Sequence, residues 1–98
     1  LSLHDALPIL FPNPTKNTIT VQFILKEESA LKVNVYDIKG GLVFTKIVSS
    51  LQKGNNSLTI NPFSAGVFNG KTVAASAGIY TVTVQARGLQ QTLTFIKE

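Results

Sequence analysis

The sequence predicts an all-β fold, an immunoglobulin-like antiparallel β-sandwich of about seven strands. Apolar and polar residues alternate in several short segments, as half-buried strands require. Glycine, asparagine and aspartate separate these segments, and the helical period is absent from all of them. Short strands at this spacing favour two packed antiparallel sheets.

The clearest alternation lies in Thr18-Ile19-Thr20-Val21-Gln22-Phe23-Ile24-Leu25, and Leu31-Lys32-Val33-Asn34-Val35-Tyr36 repeats it. Each segment predicts a strand with one apolar face. Residues 26–30 are few and charged, which predicts a hairpin connection between the two strands. The residues predicted to face the core are Ile19, Val21, Phe23, Leu25, Leu31, Val33 and Val35.

A tight turn is predicted at residues 37–41, followed by a strand over residues 42–48 that folds back on its predecessor. Asp37 can accept hydrogen bonds from backbone amides further along the turn, as in an Asx turn. Gly40 and Gly41 can adopt positive φ without a steric cost.

The remaining strands are predicted from shorter patterns. Residues 56–61 form a strand that is entered through Gly54-Asn55, and residues 79–86 and 91–97 form the last pair, joined by Arg87-Gly88-Leu89. The first strand would run into Phe11. Between residues 61 and 77, Asn69-Gly70 lies between two short segments that contain apolar residues, and it predicts a small extra hairpin.

The first nine residues, Leu1-Ser2-Leu3-His4-Asp5-Ala6-Leu7-Pro8-Ile9, are interpreted as a sequencing-adapter translation. The DNA string CTT TCC CTA CAC GAC GCT CTT CCG ATC encodes them residue for residue and resembles a widely used adapter. We therefore set residues 1–9 apart from the native domain, residues 10–98. On this hypothesis the chain is a fragment of a larger protein; the alternative is a native apolar linker or strand.

Composition excludes several functions. Nine basic and five acidic residues give a charge of +4, and removal of Asp5 leaves nine against four, or +5. The basic residues are scattered singly, which argues against nucleic-acid binding. No apolar run is long enough to insert into a membrane as a spanning helix.

Catalytic and metal sites lack their usual residues. The chain has no cysteine, and its one histidine, His4, lies in the adapter segment, so nucleophilic triads and ordinary zinc sites are excluded. Glu27 and Glu28 are adjacent and point to opposite faces of an extended chain, so they cannot act as an acid and base pair. Asp37 with Asn34 falls short of the oxygen cluster that calcium needs. We expect no cofactor, no metal and no enzymatic activity.

Five short motifs occur in order along the chain: Pro12-Asn13-Pro14, Tyr36-Asp37-Ile38-Lys39-Gly40, Gly54-Asn55, Gly78-Ile79-Tyr80 and Phe95-Ile96-Lys97. In order and spacing they resemble the C-terminal sorting domain, type A, that type IX (Por) secretion systems recognise on their cargo. The resemblance covers residues 10–98. Two departures from the family pattern are the long stretch from residue 61 to 77 and Thr94, where a lysine often precedes the aromatic residue.

The resemblance implies that the chain is a transported substrate. A type IX translocon would bind the folded domain in the periplasm and carry the cargo, joined to it in cis, across the outer membrane. A sortase-like peptidase would then remove the domain, and the cargo would be released or attached to the cell surface. The most exposed recognition elements would be residues 91–98 and the turn at residues 37–41.

Other roles for the motif residues remain open. Pro12 and Pro14 fix φ and lack amide donors, so they can end the first strand and direct the chain to the other sheet. Gly40, Gly54 and Gly78 suit turns or bulges, and we expect Tyr80 at a sheet edge. A sandwich can equally be an adhesion or carbohydrate-binding module of immunoglobulin or fibronectin type, or a structural spacer. A sorting domain must end its polypeptide, whereas a binding module need not.

Overall fold

The computed structural model is all-β: seven strands form two antiparallel sheets, and two further short strands pair with each other. It describes residues 8–63, 67–68, 71–72 and 77–98, and no helix occurs in these ranges. The strands are β1 Ile9–Phe11, β2 Ile19–Leu25, β3 Ser29–Tyr36, β4 Leu42–Leu51, β5 Gly54–Ile60, β6 Val67–Phe68, β7 Lys71–Thr72, β8 Gly78–Ala86 and β9 Leu89–Lys97.

The two large sheets have the orders β1-β2-β5 and β4-β3-β8-β9. In the three-stranded sheet, β2 pairs with β5 from Ile19↔Ile60 to Leu25↔Gly54. In the four-stranded sheet, β8 and β9 pair without interruption along their whole length. By contrast β3 and β4 pair with two register shifts, so the edge strand β4 is irregular where β9 is regular.

The core lies between the inner faces of these two sheets. All seven residues that the alternation assigns to the core are buried, so this prediction is confirmed. Strands β8 and β9 of the four-stranded sheet contribute further core residues, and β5 of the three-stranded sheet contributes one. The buried apolar residues are Ile19, Val21, Phe23, Leu25, Leu31, Val33, Val35, Ile60, Tyr80, Val82, Val84 and Phe95.

One predicted connection is wrong. Residues 26–30 do not join two hairpin strands, because β2 belongs to the three-stranded sheet and β3 to the four-stranded sheet. The chain crosses from sheet to sheet here, and β3 already begins at Ser29. A short polar connection suits either geometry, so its composition does not separate a hairpin from a crossing between sheets about 10 Å apart.

The other predicted pairs are present. β3 pairs with β4 across the turn at residues 37–41, and β8 pairs with β9 across Arg87-Gly88. β6 and β7 pair antiparallel on either side of Asn69-Gly70, as the hairpin prediction requires. Asn69-Gly70 and residues 64–66 and 73–76 lie outside the described part of the chain. In the described ranges no helix is long and apolar enough to cross a membrane.

Candidate recognition site

Strand pairing brings the last two motifs into direct contact. Gly78 pairs with Lys97, and two residues further along Tyr80 pairs with Phe95. Because β8 begins where β9 finishes, both motifs lie at one end of the sandwich, which we call the motif end. Gly78 has φ +151° at the first position of β8, a conformation that other residues rarely adopt.

Two further motifs lie at the motif end. Tyr36, the last residue of β3, pairs with Thr81 of β8, so the turn that follows Tyr36 lies beside the start of β8. The motif Pro12-Asn13-Pro14 follows β1, and its Asn13 contacts Ile96 of β9. The fifth motif, Gly54-Asn55, is separate: it begins β5 opposite the last residues of β2, at the other end of the sandwich.

An aromatic cluster lies at the motif end, where its rings pack against the core. The rings of Tyr80 and Phe95 stack with centroids 5.7 Å apart, and the Phe63 ring lies 4.9 Å from Tyr80 and 5.9 Å from Phe95. The Lys97 Nζ lies 5.4 Å from the centroid of the Phe63 ring, within range of a cation–π interaction. Phe63, which follows β5, is a member that the motifs did not predict; it is one aromatic residue in a turn, without periodicity to mark it.

Tyr80 is placed differently from the prediction. β8 lies between β3 and β9, so Tyr80 is in an interior strand and its side chain is 5 % exposed. The prediction of a sheet-edge position is therefore wrong. A large aromatic ring buries most of its apolar area between two sheets, and there the Tyr80 ring packs against Phe95 and Phe63.

The turn at residues 37–41 is an Asx turn, as predicted. The Asp37 Oδ1 accepts hydrogen bonds from the amides of Lys39, at 2.9 Å, and Gly41, at 2.8 Å. The amide of Gly40 donates to the Asp37 carbonyl at 3.0 Å, and Gly40 has φ +90°. The turn therefore holds Ile38, which is 74 % exposed, away from the sandwich.

Replacing Asp37 with alanine is expected to lower the free energy of unfolding by about 1–2 kcal/mol, because two turn amides lose their acceptor. Asp37→Asn retains an acceptor oxygen and should lose less. Urea denaturation followed by circular dichroism would measure both variants. Equal stability of the alanine variant and the unsubstituted chain would show that the turn does not depend on this side chain.

The motif Pro12-Asn13-Pro14 directs the chain from one sheet to the edge of the other, as expected for its prolines. β1 ends at Phe11, and the next residues lie along the end of β9. The Asn13 Oδ1 accepts a hydrogen bond from the Ile96 amide at 3.0 Å, and the Thr15 amide donates to the Ile96 carbonyl at 2.8 Å. The Glu98 amide donates to the Thr15 carbonyl at 2.8 Å. We call this set of contacts the entry clamp.

The entry clamp covers only the end of the outer edge of β9, at Ile96 and Glu98, and leaves the rest of that edge open. Backbone groups alternate in direction along a strand, and those of Ile96 face outward, so those of Gln90, Thr92 and Thr94 face outward too. Within the described ranges no strand pairs with this part of the edge. β9 has no charge or proline between Leu89 and Ile96, the usual protections of an edge strand. The predicted exposure of residues 91–98 is therefore correct for alternate residues only, since Phe95 is buried.

Other candidate sites contain little that would bind a ligand specifically. A pocket of about 430 Å³ lies beside β2, and its lining is uncharged: Ile9, Gln22, Phe23, Ile24, Asn55, Asn56 and Ser57. Asn55 is the one motif residue in it. Among the described residues, no three His, Cys, Asp or Glu side chains lie together as a metal site requires.

Comparison with known proteins identifies the family. A family model described as "Secretion system C-terminal sorting domain" matches residues 9–98, a range that contains all five motifs. No curated protein matches the chain. A domain of this kind is a sorting signal for type IX secretion, which implies a cargo protein in cis and export to the cell surface or the extracellular space. The chain belongs to the family of secretion system C-terminal sorting domains.

Proposed function

We propose that a type IX translocon binds this domain, in folded form, in the periplasm and carries the attached cargo through the outer membrane. A sortase-like peptidase then removes the domain, and the cargo is released or joined to a surface lipopolysaccharide. The domain is a substrate of both machines and catalyses no reaction.

The placement of the motifs carries this proposal. Four of the five motifs, distributed from Pro12 to Lys97, converge on one end of the sandwich. A receptor that contacts the motif end can therefore recognise residues from most of the chain only after they have folded together. Recognition of the folded domain also explains why the motifs are separated by strands of ordinary alternating sequence.

The edge of β9 supports a mechanism of binding by strand addition. Gln90, Thr92 and Thr94 present their backbone groups outward, and a receptor strand can pair with them in the way that edge strands accept peptides. The exposed turn at residues 37–41 offers side-chain contacts at the same end. The Lys97 ammonium group, which could add a charge to receptor binding, lies over the Phe63 ring.

The proposal is tested by fusing residues 10–98 behind a signal peptide and a fluorescent reporter in a bacterium that carries a type IX system. We expect fluorescence at the surface or in the medium, and none there in a translocon-deficient strain. Deletion of residues 95–98 should abolish export. Because the deletion also removes the buried Phe95 ring, circular dichroism of the purified variant must show whether the domain is still folded.

Retention of a folded fusion in both strains would contradict the proposal and favour a binding module or a structural spacer. Export of a folded variant lacking residues 95–98 would contradict the role of the terminal strand alone. Ligand screening would then start from the pocket beside β2.

A further inference from the structure

The entry clamp joins the segment between β1 and β2 to the end of β9. Asn13 and Thr15 lie between β1 and β2, whereas Ile96 and Glu98 are at the end of the last strand. Thr15 is 2 % exposed, and its hydroxyl donates to the Thr18 carbonyl at 2.5 Å, which orients the segment. The contact is therefore an ordered part of the fold, with Thr15 and Lys97 paired as parallel bridge partners.

The clamp and a receptor strand would use the same backbone groups. A strand that adds along β9 can pair with Gln90, Thr92 and Thr94 directly, but at Ile96 and Glu98 it meets groups that Asn13 and Thr15 already occupy. Pairing along the whole strand requires that the clamp open. The free-energy cost of opening the clamp is small, because the receptor strand replaces the hydrogen bonds that the backbone groups of Ile96 and Glu98 made in the clamp.

We propose that the entry clamp is a displaceable contact: strand addition to the end of β9 opens it and frees the segment between β1 and β2. A cargo that precedes the domain is joined to it through β1, which directly precedes this segment. Recognition of the tail and exposure of the segment between β1 and β2 are then coupled, and the coupling is reciprocal. The existence of the clamp is independent of the proposed function, whereas its displacement during export rests on it.

Hydrogen exchange tests the clamp itself on the 98-residue chain. Asn13→Ala removes the acceptor of the Ile96 amide, and we expect that amide to exchange at least about fivefold faster. Asn13→Asp keeps an acceptor and should restore slow exchange. The amides of Leu93 and Phe95, which face β8, serve as internal controls and should not change. Equal exchange at Ile96 in all three chains would overturn the proposal.

Trypsin tests the reciprocal effect, in which the end of β9 protects the segment that contains Asn13 and Thr15. Lys16 directly follows the clamp, so cleavage after it reports on this segment. In a chain that lacks Lys97 and Glu98, the Thr15 carbonyl loses its donor, and we expect cleavage after Lys16 to accelerate by about fivefold or more. Cleavage after Lys39, in the turn at residues 37–41, provides the matched control and should keep its rate. An unchanged rate after Lys16, or equal acceleration at both sites, would show that this segment and the end of β9 are not coupled.

A disulfide tests displacement during export. The chain has no cysteine, so Thr15→Cys with Lys97→Cys places a single pair at the parallel bridge, where the Cβ atoms lie on the same side. In the reporter fusion, we expect export of this double variant to fall at least tenfold when oxidised and to recover with dithiothreitol. The unsubstituted fusion, with and without reductant, controls for the treatment and separately tests the proposed function. Equal export of the oxidised and the reduced double variant would overturn the proposal that the clamp opens during export.

Discussion

Replacing Phe95 with alanine is expected to lower the free energy of unfolding by about 3–5 kcal/mol. Phe95 is 1 % exposed and packs against Tyr80 and Phe63, so truncation leaves a cavity between the sheets that the neighbouring strands cannot fill. A domain of this size has a total stability of about 5–15 kcal/mol, so a substantial part of it depends on this one ring. Urea denaturation monitored by tyrosine fluorescence would measure the loss.

Two further variants separate packing from recognition. Phe95→Leu fills most of the volume and should lose less stability than Phe95→Ala. Thr94→Ala alters the adjacent, exposed position and should leave the unfolding midpoint nearly unchanged. If Phe95→Ala unfolded at the same urea concentration as the unsubstituted chain, the aromatic cluster would not be the source of stability at the motif end. Any effect of Phe95→Ala on export would then have to come from recognition.

Local patterns were sufficient to predict the faces of the strands and the chemistry of the main turn. The alternation in β2 and β3 identified residues such as Val21 and Val33 as core residues, because a strand with one buried face must place apolar side chains at every second position. The Asx turn at Asp37 was equally accessible, since its hydrogen bonds join residues only two and four positions apart.

The choice of neighbouring strands was harder to predict. The alternation indicates which face of a strand is buried but not which strand pairs with it. For this reason β2 and β3 were expected in one hairpin, although they belong to opposite sheets. The expected edge position of Tyr80 failed for the same reason: its strand pairs with β3 on one side and β9 on the other. Both errors concern contacts between residues far apart in the sequence.

The entry clamp was the feature least accessible to sequence reasoning. Asn13 and Ile96 are separated by 83 positions, and their hydrogen bond has no periodicity that would mark it. The prolines on either side of Asn13 predicted only that β1 ends there and that the chain changes direction. The motif therefore has a structural role, the clamp, besides any role in recognition.

Substituting proline at two adjacent positions of β9 is expected to separate strand addition from folding. Thr92→Pro removes an amide that faces the open edge, where proline is tolerated, so the domain should remain folded with only a small loss of stability. Leu93→Pro removes an amide that bonds to β8 and should cost at least about 1–3 kcal/mol, because its acceptor on β8 is left unpaired. Because a receptor strand needs the outward amide, we expect Thr92→Pro to abolish export of the reporter fusion while the purified domain stays folded.

Thr92→Ala is the matched control, since it changes the same side chain but retains the amide, and it should be exported normally. Circular dichroism and urea denaturation would establish that Thr92→Pro is folded, and fluorescence in the medium would measure export. Normal export of a folded Thr92→Pro variant would rule out pairing at the centre of the open edge. Recognition would then have to depend on other features, such as the side chains of the turn at residues 37–41.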